Sequence, residues 1–212
     1  MSIFLKALFV LFLTMPSVFG ALHFDYSLGY FSDDYGEDRN PFDLTSHRNE
    51  LSIGVSFGPN GRIMLGHNVL MWSRDASREV SSVIREEELS FMEMGPKLTL
   101  FLNQGKNFYL SGAYHFYVDG TRKITGSAEE EMKGSAWLAS FGMQMGLTRS
   151  FYLGFSLNYH TLSIDETSLN SVVNEVDLSY TSFYPALEVS FRFGGSPSRS
   201  RARNSFPRSW RP

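Results

Sequence analysis

Between Leu22 and Phe193 apolar side chains recur at every second position, in runs of roughly ten residues, the length at which a tilted strand crosses a bilayer. The first run is the cleanest: Leu22, Phe24, Tyr26, Leu28 and Tyr30 alternate with His23, Asp25, Ser27 and Gly29. Successive side chains of a strand face opposite sides, so one face is apolar and the other polar or small. Leu51, Ile53, Val55 and Phe57 repeat this against Ser52, Gly54 and Ser56. Phe108, Leu110, Tyr114, Phe116 and Val118 oppose Tyr109, Ser111, Ala113, His115 and Asp119. Trp137, Phe141, Met143, Met145 and Leu147 oppose Ser140, Gly142, Gln144 and Gly146, and Phe151 to Tyr159 alternate with Gly154, Ser156, Asn158 and His160. Two runs are less regular. Pro96 interrupts the run from Met92 to Leu102, and because proline cannot donate to a ladder it predicts a bulge. His67 falls among Ile63, Leu65, Val69 and Met71, which predicts either a bulge or a reversed phase.

The last run ends at Val189, Phe191 and Phe193, with Glu188, Ser190 and Arg192 between them. The joints are alternately short and long. Gly58-Pro59-Asn60-Gly61, the segment from Asn103 to Asn107, and Thr148-Arg149-Ser150 are tight, while Ser32 to Ser46, Arg74 to Glu87, Gly120 to Gly134 and Asp165 to Val176 are long. The predicted fold is all-β: an eight-stranded antiparallel up-and-down transmembrane β-barrel with short periplasmic turns and long extracellular loops. Aromatics sort into two expected girdles, Tyr30, Trp72, Trp137, Tyr159 and Tyr180 at the outer rim and Phe57, Phe101, Phe108, Phe151 and Phe193 at the inner one. A soluble barrel would show the same alternation with the apolar face inward. Glycines, serines and charges opposite bulky aromatics favour the membrane form. The terminal Phe and the strand pattern resemble the small eight-stranded outer-membrane proteins of the OmpA/OmpX type. That resemblance implies an integral outer-membrane location, delivery by the barrel-insertion machinery, and contact with outer-membrane lipid and lipopolysaccharide, with both termini periplasmic.

Composition changes this picture only at the ends. Lys6, the apolar stretch from Ala7 to Met15, Pro16 and the small residues before Ala21 read as a signal peptide over 1–20, cleaved after Gly20. Residues 21–193 form the barrel. Residues 194–212 carry Arg199, Arg201, Arg203, Arg208 and Arg211 among Gly, Ser and Pro, and are expected to be a disordered periplasmic tail. The chain has no cysteine, which excludes disulfides and thiolate metal sites, and its net charge of −3 gives no reason to expect a nucleic-acid partner.

The inward face gathers a polar lumen network of Asp25, Glu93, Lys97, His115, His160, Glu188 and Arg192. Charges inside so narrow a barrel must pair, since an unpaired buried charge costs several kcal/mol. Lys97 and Arg192 are expected to neutralise Glu93 and Glu188. Asp33, Asp34, Glu37 and Asp38 are a candidate cation site in the first loop, with no metal identified by their spacing. Arg78, Arg85, Arg122 and Lys123 are candidates for meeting sugar phosphates. No catalytic residues are expected: none of the five histidines has Ser two positions on, the pairing that the resemblance to lipid A deacylase barrels would require, and no cofactor is expected. The expectation is a non-enzymatic barrel acting through extracellular loops, and a loop ligand, in surface structure, adhesion or envelope integrity. The alternatives are a narrow solute or ion channel, and a lipid-modifying barrel enzyme.

Overall fold

In the computed structural model, which describes residues 19–37, 40–58, 61–80, 83–103 and 105–194, the chain is eight strands and the joints between them. They are β1 (Phe19–Glu37), β2 (Asn40–Phe57), β3 (Ile63–Val80), β4 (Val83–Phe101), β5 (Phe108–Ile124), β6 (Glu130–Gly146), β7 (Phe151–Leu169) and β8 (Val172–Phe193). Each pairs antiparallel with the next, and β1 returns to β8 to close the barrel. Of the predicted signal segment only Phe19 and Gly20 fall among the described residues, where Phe19 already pairs with Phe57. Of the predicted tail only Gly194 does.

The strands are longer than the sequence suggests, at 17 to 22 residues, and the four segments read as long loops are mostly strand. Joints are short at both ends of the barrel. At the end that carries the termini, β2 and β3 are linked by Gly58 to Arg62, with Gly58 and Gly61 at positive φ. At the far end, Asn170 and Ser171 alone join β7 to β8, both in the left-handed region. Loop prediction failed because the alternation does not stop where the apolar face stops. Its chemistry reverses instead.

Nearer the termini, a belt of outward side chains is apolar on every strand. Leu28, Leu51, Leu65, Leu98, Leu110, Phe141, Phe155 and Phe191 are all exposed there, while Ser52, Ser56, Asn68, Ser156 and Asn158 are buried inside. Apolar out and polar in is the arrangement of a transmembrane barrel. Beyond Tyr30, Met71, Met92, Trp137 and Tyr159 the outward positions become Thr45 and His47, Ser73 and Asp75, Glu88 and Ser90, Asp119 and Lys123, Glu131 and Lys133. Most inward positions become apolar, with Ser46, Arg48 and Thr167 buried among them. Leu70, Trp72, Leu89, Phe91, Val118, Met132, Ala136, Leu162 and Ile164 form one buried cluster, with Val176 and Tyr180 against it. At about 2.5 Å of height per tilted residue, this far half rises on the order of 20 Å past the belt.

Three predicted girdle residues therefore point inward: Trp72, Phe101 and Tyr180, the last packed against the buried cluster. Trp72 is stacked on Phe91 at 4.6 Å, and Phe101 packs edge-on to Tyr109, because both sit on the inner parity of their strands. Tyr30, Trp137, Tyr159, Phe108 and Phe193 do face outward. The third strand has no bulge: its register runs unbroken against both neighbours, and His67 faces outward between Ile53 and Pro96. The bulge expected at Pro96 is not in β4, whose register against β3 runs unbroken through it. The extra residue lies across the ladder in β5, where the step from Tyr117 to Ala113 faces the shorter step from Met94 to Lys97, and this bulge places Phe116 and Tyr117 both outside. It shifts the parity, so Val118 turns inward and Asp119 outward, the reverse of the sequence reading.

The seam differs from every other joint. β1 and β8 pair only from Leu22↔Phe193 to Gly29↔Ala186, although β1 continues to Glu37 against β2 and β8 is paired back to Val172 by β7. Pro185 follows Ala186 on the far side and brings no N–H to either neighbour. The wall is thus closed through the belt and parts above it.

Candidate functional site

All seven residues of the predicted lumen network lie on inward positions, but their partners are not the expected ones. Glu93 of β4 is completely buried and accepts three hydrogen bonds. Trp72 Nε1 donates to Oε1 at 2.6 Å, and His115 Nδ1 and His160 Nε2 reach Oε2 at 2.7 and 3.0 Å. The donors come from β3, β5 and β7, so this carboxylate ties the lumen together across its diameter. Lys97 instead pairs with Glu50 at 2.5 Å and reaches Ser52 Oγ at 3.1 Å. Glu50 also accepts from Ser27 and Asn68. Glu188 takes its bond from the Tyr109 hydroxyl, and Asp25 from Ser190. Room for Tyr109 comes from Gly142, where a Cβ would fall 2.1 Å from the phenol ring.

Arg192, expected to neutralise Glu188, makes no ion pair among the described residues; its guanidinium carbon lies 3.9 Å from the centre of the Tyr152 ring and 4.9 Å from that of Phe101. Pairing failed as a sequence inference because it depends on which strands face one another across the lumen. Glu50, Asn68, Trp72 and Arg48, which complete the network, carry no local signal beyond inward parity.

Glu93 Oε2, His115 Nδ1 and His160 Nε2 lie within 4.8 Å of one another, a donor set of the kind that holds zinc or iron. The surrounding bonds decide against it. The Asn68 amide nitrogen donates to Glu50 and Ser52, so its oxygen faces His115 Nε2 at 2.7 Å and the ring turns Nδ1 to Glu93. On the other side Arg48 Nη1 lies 3.0 Å from His160 Nδ1. A guanidinium only donates, so Nδ1 accepts and the ring proton sits on Nε2, where the metal would bind. Arg48 is pinned by the faces of Trp72 at 4.8 Å and Tyr184 at 4.4 Å. The triad is a hydrogen-bonded cross-brace, and these residues do not fit a metal.

Nothing in the network is arranged for nucleophilic catalysis. Ser156 accepts from Asn158 at 3.0 Å, and His160 is committed to Glu93 and Arg48. In the far half, Arg122 is likewise engaged, with Glu87 at 2.6 Å and Glu130 at 3.9 Å, so it is not a free phosphate ligand. Of the predicted acidic loop, Asp33, Asp34 and Glu37 belong to β1, and Asp38 lies outside the described residues. A groove of about 420 Å³ opens on the outer wall where the belt ends, between the cross-strand row of Asn49, Met71, Met92 and Asp119 and the next row of His47, Ser73, Ser90 and Thr121.

No family model matches the chain, and no curated protein does. Among solved structures it is similar to Neisserial surface protein A, at 10% identity and a TM-score of 0.47 over 82% of this chain and 96% of that one. It is also similar to Ail, the attachment invasion locus protein of Yersinia pestis, in complex with the heparin analogue sucrose octasulfate (15%, 0.42, 83% and 99%). A third is outer membrane protein AlkL in lipid bilayers (14%, 0.42, 82% and 90%). At these identities the likeness is one of fold.

Proposed function

We propose that this chain is a non-conducting outer-membrane barrel that presents its far half at the cell surface, both termini lying in the periplasm, and acts there without catalysis in surface structure, adhesion or envelope integrity. One observation carries this reading: the reversal of inside and outside part-way up the wall. Within the belt the lumen is filled by bonded side chains, with Glu93 and His115 wholly buried. Above it the wall encloses an apolar core and turns charged and hydroxyl side chains outward, as a body standing in water does. The far half is then a platform of four hairpins, with strand edges at Tyr30–Glu37 and Val172–Pro185 that are unpaired among the described residues for a partner to meet.

Planar-bilayer recording tests the closed lumen. The purified chain gives no steady conductance, and steady pores that vanish on changing Glu93 would overturn the reading. Protease added to intact cells tests the orientation: cuts fall between Arg74 and Glu87 or between Gly120 and Gly134, and protection of both segments until the outer membrane is opened would reverse it.

A further inference from the structure

At the terminus-bearing mouth three basic side chains converge on one ring. His23 of β1 stacks on Phe101 at 5.7 Å, the Lys106 ammonium lies 5.6 Å from the centre of that ring, and the Arg192 guanidinium 4.9 Å from it. His23 and Arg192 face each other across the β1–β8 seam. Lys106 is held in the β4–β5 turn at φ 55°, its carbonyl accepting from Gln144 at 3.0 Å, and its ammonium lies against Gly61, where a Cβ would come within 2.9 Å of it. None of the three has a carboxylate in ion-pair range among the described residues. The nearby carboxylate, Asp25, is bonded to Ser190.

These groups are buried and lack acceptors. His23 is fully buried and Arg192 6% exposed, yet among the described residues both ring nitrogens of His23 and the Nε and Nη2 of Arg192 have no hydrogen-bond partner. Buried polar atoms are ordinarily satisfied, and each exception calls for a missing partner. Nε and Nη2 form the side of the guanidinium whose two N–H bonds run parallel, the edge that grips a carboxylate or phosphate with both donors. Tyr152 and Phe101 hold that fork in place by its faces and leave this edge free. Burial and the neighbouring guanidinium also push the Lys106 ammonium below its usual pKa, the effect of cations gathered without a counter-charge.

We infer that the mouth is an oxyanion site that takes a phosphate group, with Arg192 as the bidentate fork, Lys106 as the second cation and His23 as a further donor. The phosphate is either free in the periplasm or carried by a lipid headgroup at the inner rim. This rests on the terminus-bearing end being periplasmic, but the binding chemistry does not.

The test is titration of the folded full-length chain in uncharged detergent at low ionic strength, with inorganic phosphate in one arm and short-chain phosphatidic acid in the other, read by calorimetry and phosphorus NMR. Saturable binding is expected in at least one arm. Arg192→Gln weakens it by about tenfold or more, the value of a charge-assisted bidentate contact. Arg192→Lys keeps the charge but loses the fork and also weakens binding, while Lys106→Gln, in the half-buried β4–β5 turn outside the strands, weakens it with the fold intact. Phosphate binding alone identifies a free anion, and phosphatidic acid alone a lipid. Absence of binding in both arms overturns the inference. So does binding that is indifferent to Arg192→Gln and Lys106→Gln, because the arginines of residues 195–212 would then be responsible.

Discussion

The belt half and the far half of this barrel share strands, register and alternation, and they are held together by different forces. In the far half, water outside and Leu70, Leu89, Met132, Leu162 and Ile164 inside give ordinary hydrophobic cohesion. In the belt half the outside is hydrocarbon, so withdrawing an apolar side chain from it gains nothing, and cohesion falls to hydrogen bonds across the lumen. That accounts for where the molecule places its polar network. Glu93, Glu50, Lys97, His115 and His160 are all in or just above the belt, and the far half has an oily centre instead. The change of solvent half-way along a strand inverts what belongs inside.

The largest expected effect comes from breaking the cross-brace. Glu93→Ala leaves Trp72, His115 and His160 without an acceptor in a dry lumen, at a cost of about 3–5 kcal/mol. The temperature at which heat-modifiable gel mobility is lost should fall well below that of the parent chain; an unchanged midpoint would mean the belt half is held by something else. Next is the far half. Leu162→Ala, at a completely buried position, should cost about 2–5 kcal/mol through the cavity it leaves, and the loss should be local. Limited proteolysis should then speed up between Arg74 and Glu87 while heat-modifiable mobility survives. Simultaneous collapse of both properties would show that the halves are one cooperative unit. Arg48→Met removes the donor that holds His160 Nδ1, so this variant should retain one zinc ion per chain after refolding with the metal and dialysis, where the parent retains none. Equal zinc in both would refute the role given to Arg48.

Strand count, pairing order and inward parity of Asp25, Glu93, Lys97, His115, His160, Glu188 and Arg192 were legible because a period of two survives any change of register partner. The far half was not, because a search for outward apolar residues ends at Met71 and Met92. A signal was nevertheless present: Leu70 and Trp72, Leu89 and Phe91, and Leu162 and Ile164 continue the inner phase at spacing two after the outer phase has turned polar. Ion pairing was illegible for a deeper reason. Glu93 finds His160 three strands away, and Lys97 finds Glu50 two strands away, distances across the lumen that no spacing along the chain records. The Phe116-Tyr117 bulge, which turns Asp119 outward, has the same character, since only its neighbours' register reveals it.

The finest test of the two-solvent account places one charge at two heights on one face of one strand. Leu98 and Ser90 are both outward on β4, Leu98 near the middle of the apolar belt and Ser90 just above it. Leu98→Arg should cost about 2–4 kcal/mol, the depth-dependent value for a cation facing hydrocarbon near the midplane. Ser90→Arg, facing water or headgroups, should stay within about 0.5 kcal/mol of the parent. Both values come from reversible unfolding in lipid vesicles, followed by tryptophan fluorescence. Since the two substitutions share a side chain, a strand and a face, their difference isolates the solvent. Equal costs at both positions would place the hydrocarbon boundary beyond Ser90 and make the far half part of the membrane span. Equal tolerance would deny that the belt meets hydrocarbon at all.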